Sequence, residues 1–346
     1  MGGGQTTGAG GAGQAGAGGA GQAGAGGAGK AGAGGAVLGG AGGAGQGGAG
    51  GVGPAGAGGA GLGGAGGVGQ AGAGGGGPAG AGGSVTPSTG YRSPYAVVYS
   101  DDSATVAVSD ETAAELVVLD AKAGTSLRSV KLAGQPRGLA RSGVGKVMVA
   151  EYGAGTVAEV DTTAGSVIRR LDVGPKATDV AVSSDGSRVL VPDFALNQVL
   201  ILDGATGKTQ ATVAVAPYPF AVAFAPGGTT GVVAHLLASG DATKPDSAAT
   251  VTLLDVAGGK VSASIKLPFG SSAVRGVHCS TDGKWAYVVH TLGRMNVPTT
   301  HLLRGWVYTN ALSIIDLTNK SLYATTLLDR LNEGAANPWG VDVSPD

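Results

Sequence analysis

The sequence predicts an all-β fold, a β-propeller of about five complete four-stranded blades and the start of a sixth, behind a disordered Gly/Ala-rich tail. Three observations predict it. Beyond residue 91, turn formers cut the chain into Val-rich runs of about 4–7 residues, the signature of strands. A proline heads successive groups of four runs at Pro94, Pro136, Pro175 and Pro217, spaced 42, 39 and 42 residues apart. An aspartate closes each third run at Asp120, Asp161, Asp203, Asp255 and Asp316, spaced 41, 42, 52 and 61 apart. A period of about 40 residues with four strands per unit marks a propeller blade.

The most regular copy is Pro175–Ala216. Its spacing predicts strands over 178–182, 188–191, 199–203 and 209–215. Between the first two lies Ser183-Ser184-Asp185-Gly186, a turn because Gly accepts positive φ and Ser and Asp bond their own backbone. The other blades follow as Pro94–Gln135, Pro136–Gly174, Pro217 to about Gly270, and Ser271 to about Asn332. Asn337-Pro338-Trp339-Gly340-Val341-Asp342-Val343-Ser344 opens a sixth, and the chain stops at Pro345-Asp346, where other copies make a turn. A propeller closes its ring to avoid exposed edges, so the expectation is a truncated open reading frame.

Residues 1–90 are a different material. From Gly10 to Ala81 an octad, G-G-A/V-G-x-A/G-G-A, recurs with few lapses, and most of the 71 glycines fall here. Such a segment cannot bury enough apolar surface to offset its chain entropy. It reads as a flexible linker, with the propeller domain running from 91 to 346.

The formal net charge is -1. No basic excess or stripe points to nucleic acid or an anionic membrane. No run reads as a transmembrane helix, because the long uncharged stretch is mostly glycine. Met1-Gly2-Gly3-Gly4-Gln5 has neither the basic nor the apolar region of a secretory signal. Cys279 is the only cysteine, so the chain has no disulfide and no Cys-x-x-Cys-His haem attachment. A P-loop, a dinucleotide fingerprint and a nucleophile elbow are also missing. No cofactor is evident, although a metal ion fits the side chains discussed below.

PDFALNQVLILDGATGKTQATVAV and VHCSTDGKWAYVVH resemble YVTN-type (YncE-like) β-propeller repeats, across about 93–346. His290 to Trp306 and Gly334 to Val341 are similar to propeller segments of bacterial extracytoplasmic proteins that continue into di-haem cytochrome c peroxidase-like regions. The resemblance implies a periplasmic or cell-surface location and a cytochrome-type domain as partner. With no haem motif in this chain, that activity does not carry over.

The candidate site comes from lining up the second strands. They end in Asp110, Glu151, Asp193, His235 and His290, all carboxylate or imidazole, which ligate metals and carry protons. Equivalent repeat positions are expected to ring one face. The two longest insertions, about Leu236–Ala249 and Thr291–Asn310, leave from this position, and long loops on a rigid scaffold carry function. The competing reading is that Asx residues here bond the next turn's backbone. Arg275, like Asp179, starts a first strand near the same face and lines the channel or pairs structurally. Arg294, His301, Arg304 and Trp306 suit the fifth-blade insertion to a contact surface. His235, His290 and His301 are the candidate metal ligands. Two functions follow: an extracytoplasmic binding or scaffold module for a protein or small ligand, or part of a metal- or haem-dependent redox enzyme whose catalytic domain lies elsewhere.

Overall fold

The computed structural model describes residues 92–241, 244, 246–293, 308–330 and 337–344; the Gly/Ala array and Arg294, His301, Arg304 and Trp306 lie outside them. The described residues form strands and no helix. The first sheet holds β1 (Pro94–Tyr99), β2 (Thr105–Asp110), β3 (Glu115–Asp120) and β4 (Ser126–Lys131). The second holds β5 (Gln135–Gly143), β6 (Lys146–Tyr152), β7 (Thr156–Asp161) and β8 (Ser166–Asp172). The third holds β9 (Ala181–Val182), β10 (Arg188–Asp193), β11 (Gln198–Asp203) and β12 (Thr209–Ala214). The fourth holds β13 (Pro219–Phe224), β14 (Thr230–His235), β15 (Thr250–Asp255) and β16 (Lys260–Lys266). The fifth holds β17 (Ser271–Cys279), β18 (Trp285–Gly293), β19 (Tyr308–Asp316) and β20 (Ser321–Leu327). In every sheet the strands lie in chain order. All pairings are antiparallel. These are five blades of a β-propeller.

The closing aspartates form the tight turns that set the repeat. Asp120 Oδ1 accepts the N–H groups of Lys122 and Ala123 at 2.9 and 2.7 Å. Asp161 accepts Thr163 and Ala164, and Asp316 accepts Thr318 and Asn319. A carboxylate so placed fixes its own turn without help from the core. The turn between first and second strands uses serine. The Ser183 hydroxyl donates to Asp185 at 2.6 Å and accepts the Arg188 N–H at 2.9 Å. Ser280 and Asp282 repeat the arrangement.

Apolar side chains meet between sheets. Leu116 and Val130 join Val149 and Val160 between the first and second blades. Met148 and Val157 join Val189 and Leu202 between the second and third. Leu190 and Ile201 join Val233 and Leu254 between the third and fourth. Val232 and Leu253 join Val288 and Ile315 between the fourth and fifth. The core is thus a series of layers, one at each blade junction.

The first strands are the irregular ones. Pairing slips between Pro94 and Val97, Pro136 and Leu139, Pro219 and Ala221, and Ser272 and Gly276. In the third blade, β9 keeps only Ala181–Val182, shorter than the expected 178–182. The cause is sideways bonding to the next blade. Thr178 Oγ1 donates to the Phe220 carbonyl at 2.7 Å, and the Asp179 carboxyl accepts the N–H groups of Val180 and Val222, each at 2.9 Å.

Residues 337–344 contain no strand, where the sequence reading opens a sixth blade. They nevertheless run along β17. A Cβ on Gly276 would lie 3.0 Å from the Gly340 Cα and 3.2 Å from the Trp339 carbonyl oxygen, so glycine permits the approach. The Asp342 carboxylate sits 3.1 Å from His278 Nδ1.

Candidate functional site

The five residues ending the second strands are buried, and each is bonded within its own neighbourhood. Asp110 Oδ1 accepts the Ser93 and Ala113 N–H groups at 3.1 and 3.0 Å, and Arg92 bridges Oδ2 to Glu115. Glu151 accepts the Ala133 N–H, the Thr156 hydroxyl and a two-pronged grip from Arg170 at 2.9 and 3.1 Å. Burial would raise its carboxyl, but the bond from Arg170, then those from Ala133 and Thr156, hold it below the usual range. Asp193 Oδ1 accepts the Ala195 and Leu196 N–H groups, and its Oδ2 is buried without a partner among the described residues.

The two histidines follow the same pattern. His235 Nδ1 lies 2.9 Å from the Pro217 carbonyl and Nε2 lies 2.8 Å from Thr252 Oγ1. Burial pushes its pKa down to about 4. His290 Nδ1 lies 3.0 Å from the Thr291 carbonyl and Nε2 2.8 Å from Ser313 Oγ. Burial lowers its pKa too. Both rings have both nitrogens engaged, so a metal ion would have to displace a bond at each. Among the described residues no group of three His, Cys, Asp or Glu is placed to hold one. Cys279 is a buried thiol that burial pushes up to about 12, a small hydrophobe rather than a nucleophile.

A second cluster gathers where the first strands start. Aligned on the turn serine, or on Ala225 that replaces it in the fourth blade, the equivalent positions are Tyr95, Arg137, Thr178, Phe220, Arg275 and Trp339. The Arg137 guanidinium lies 5.4 Å from the Tyr95 ring centre and 3.6 Å from that of Tyr152. Glu111 compensates its charge at 2.7 Å, and Lys176 approaches the Tyr152 ring at 4.3 Å. The Tyr95 and Trp339 rings meet edge to face with centres 5.5 Å apart. The Arg275 guanidinium covers Trp339 at 4.5 Å. A continuous Arg–Tyr–Trp–Arg chain thus crosses from the second blade through the first to the fifth.

The polar ends of this chain are not all satisfied. The Tyr95 hydroxyl and Arg275 Nε are buried without hydrogen-bond partners among the described residues. Burial raises the pKa of Tyr95, which also feels the charges of Arg137, Asp179, Glu111 and Arg275. Asp179 occupies the position held elsewhere by Ala96, Gly138, Ala221, Gly276 and Gly340. Burial lifts its carboxyl to about 7 against the two backbone N–H groups it accepts. Part of its surface still faces open space, which moderates that lift. A Cβ on Gly138 would overlap the Asp179 carboxyl, so the second blade is cut back to admit it.

A third feature lies on the face from which the insertions leave. A cavity of about 380 Å³ opens between the fourth and fifth blades, lined in part by Ser247, Phe269, Ser272, Thr291, Tyr308 and Asn337. Ala273 on its wall has φ of 52°, a left-handed conformation that costs a non-glycine residue energy and collects at functional sites.

No family model and no curated protein sequence matches the chain. Solved structures do. The architecture is shared with a chain of Kuenenia stuttgartiensis Hydrazine Synthase. The two are 24% identical, with 73% of this chain and 71% of that chain covered and a TM-score of 0.65. In all, 1425 solved chains match, so the likeness identifies a widely used scaffold and not a chemistry.

Tyr95, Arg137, Tyr152, Lys176 and Trp339 were not singled out in the sequence. Part of the signal was there: the residues after the blade-heading prolines, Tyr95, Arg137, Lys176 and Tyr218, are all aromatic or basic, whereas Arg275 follows Val274. The strand-end column drew attention instead because its residue types ligate metals. Its side chains serve turns and neighbouring strands and leave one buried atom, Asp193 Oδ2, without a partner among the described residues, whereas the first-strand column leaves two, the Tyr95 hydroxyl and Arg275 Nε.

Proposed function

We propose that the chain is a binding propeller that works outside the cytoplasm and presents the face of its two enlarged connections to a protein or small ligand. The observation that carries this reading is the cavity between the fourth and fifth blades. It combines an apolar wall, a strained Ala273 and a position between both insertions. The likeness of the blades to YVTN-type repeats supports the location. A photo-crosslinking residue at Tyr308, on this cavity, is expected to give one defined adduct in the presence of envelope extract. The same residue at Val144, exposed on the turn between β5 and β6, is expected to give none. Equal labelling from both positions overturns the assignment of the face.

A second reading treats the propeller as part of a metal- or haem-dependent redox enzyme. The similarity of His290 to Trp306 to propeller segments of proteins with di-haem cytochrome c peroxidase-like regions motivates it; the likeness to a chain of Hydrazine Synthase is one of fold. Metal analysis of the purified protein tests it. A stoichiometric transition metal that is lost when His235 and His290 are both changed to Ala would support the reading.

A further inference from the structure

We propose that the start of the first strands forms a second binding site that takes a small hydroxycarboxylate. Arg275 is the counter-ion, the Tyr95 hydroxyl is a donor, the touching Tyr95 and Trp339 rings form one wall, and Asp179 receives the ligand's hydroxyl. This site is separate from the cavity between blades four and five, and it stands or falls independently of it.

The argument begins with charge. Guanidinium groups in a protein interior are paired or hydrogen-bonded, because an uncompensated charge removed from water is costly. Arg137 obeys this through Glu111 at 2.7 Å. Arg275 is half-buried and has no carboxylate beside it: its partner among the described residues is the Trp339 ring, and its Nε is buried and unbonded. Stacking fixes the guanidinium plane and leaves its edge free. The edge presents parallel N–H donors, which match the two oxygens of a carboxylate.

The next clue is the Tyr95 hydroxyl, also buried without a partner among the described residues and within electrostatic reach of Arg137, Arg275 and Asp179. Buried polar atoms are ordinarily satisfied, so two orphans in one contiguous cluster ask for a common partner. Asp179 supplies the remaining specificity. Val180 and Val222 each use one lone pair on its two oxygens, and a carboxyl retains further acceptor capacity. A neutral hydroxyl suits that capacity. An ammonium would place a third positive charge beside two guanidinium groups. A phosphate dianion would be repelled by the Asp179 carboxylate.

Size follows from backbone spacing. The Gly138 N–H lies 3.4 Å from the Thr178 carbonyl across the second and third blades. Gly276 and Gly340 touch across β17 and the following segment. First strands this close exclude an extended chain, so the ligand is a compact one.

Calorimetric titration of the purified protein tests the site with L-lactate, acetate and inorganic phosphate as probes. The expected result is one-to-one binding of lactate, binding of acetate weaker by about fivefold to tenfold for the missing hydroxyl contact, and none of phosphate. Arg275→Ala is expected to weaken lactate by at least ~30-fold, as for truncation of one partner of a desolvated ion pair. Arg275→Lys, which keeps the charge but not the fork, should recover part of the loss. Tyr95→Phe should weaken binding about fivefold while leaving the circular dichroism unchanged. Wild-type protein that binds none of the three anions overturns the proposal. So does a folded Arg275→Ala protein that binds lactate as tightly as wild type, or phosphate bound more tightly than lactate.

Discussion

The middle blades and the outer blades are built from the same repeat but buried differently. In the third blade, β10 and β11 each have four or more consecutive buried residues, Val189–Asp193 and Val199–Leu202. In the first blade, β3 alternates after Leu116: Val117 is half-buried, Val118 buried and Leu119 half-buried. In the fifth, Trp285 and Tyr287 alternate with buried Ala286 and Val288. A strand covered on both faces reads as a continuous apolar run, and one covered on a single face as an alternation. Neighbours on both sides, not local sequence, set this difference. Leu119 and Leu202 occupy the same repeat position, one before the closing aspartate, yet only Leu202 is fully buried.

The largest expected effect breaks that pair apart. Leu202→Ala should lower the unfolding free energy by about 2–5 kcal/mol, because it removes a side chain enclosed on both faces. Leu119→Ala should cost about 1 kcal/mol or less, because its site is already part-solvated. Urea denaturation of both variants measures the gap. Equal losses would mean that blade position does not control burial energy.

Polar positions carry the same contrast at a smaller scale. Glu151→Ala in the second blade removes a fully buried carboxylate that accepts from Ala133 and Thr156 as well as from the 38% exposed Arg170, at a cost of about 2 kcal/mol. Asp110→Ala is the equivalent change in the first blade. Its partner Arg92 is 53% exposed and can rehydrate, so the cost falls to about 1 kcal/mol. The same denaturation experiment decides it, and an Asp110→Ala loss as large as that of Glu151→Ala contradicts the contrast.

Two buried groups should make stability respond to pH in opposite directions. His235 is held near 4 by burial, below the unfolded value of about 6.5. Its contribution is present above pH 6.5 and is lost as pH falls toward 4, since the unfolded imidazole takes up a proton first. Between pH 6.5 and 4.5, wild type should lose about 2 kcal/mol more than His235→Gln. Asp179, lifted to about 7 by burial, works the other way. Its contribution is present below the unfolded value of about 3.9 and is lost as pH rises through 7. Asp179→Asn should therefore gain about 1 kcal/mol relative to wild type at pH 8, the gain being small because part of the group faces open space. Thermal unfolding across pH 4–8 reads both slopes, and parallel curves for wild type and His235→Gln would remove the histidine from the account.

Much of the fold was legible because its rulers are local. The closing aspartates and the Ser-x-Asp turns bond their own backbone, so their spacing survives in the sequence whatever surrounds them. The first strands were less legible. Thr178 and Asp179 bond across to Phe220 and Val222, and a bond between blades leaves no mark on local periodicity. The site was hard to read for the same reason. Asp110, Glu151, Asp193, His235 and His290 stand out as residue types, yet their partners, such as Arg170 and Thr252, sit on other strands. Nothing near Arg275 in sequence announces Trp339, which reaches it from 64 positions later.

A pair of valines sharpens the blade comparison most directly. Val97 and Val180 occupy one repeat position on the first strands of the first and third blades. Val97 is 61% exposed and Val180 is 2% exposed. Val180→Ser places a hydroxyl in the layer between the second and third blades, beside Val189 and Leu202, and should cost about 2 kcal/mol. Val97→Ser meets solvent and should change stability by no more than about 0.5 kcal/mol. A larger loss at Val97 would show that something covers this face of the first blade in solution, and the outer blades would then have to be counted as enclosed like the middle ones.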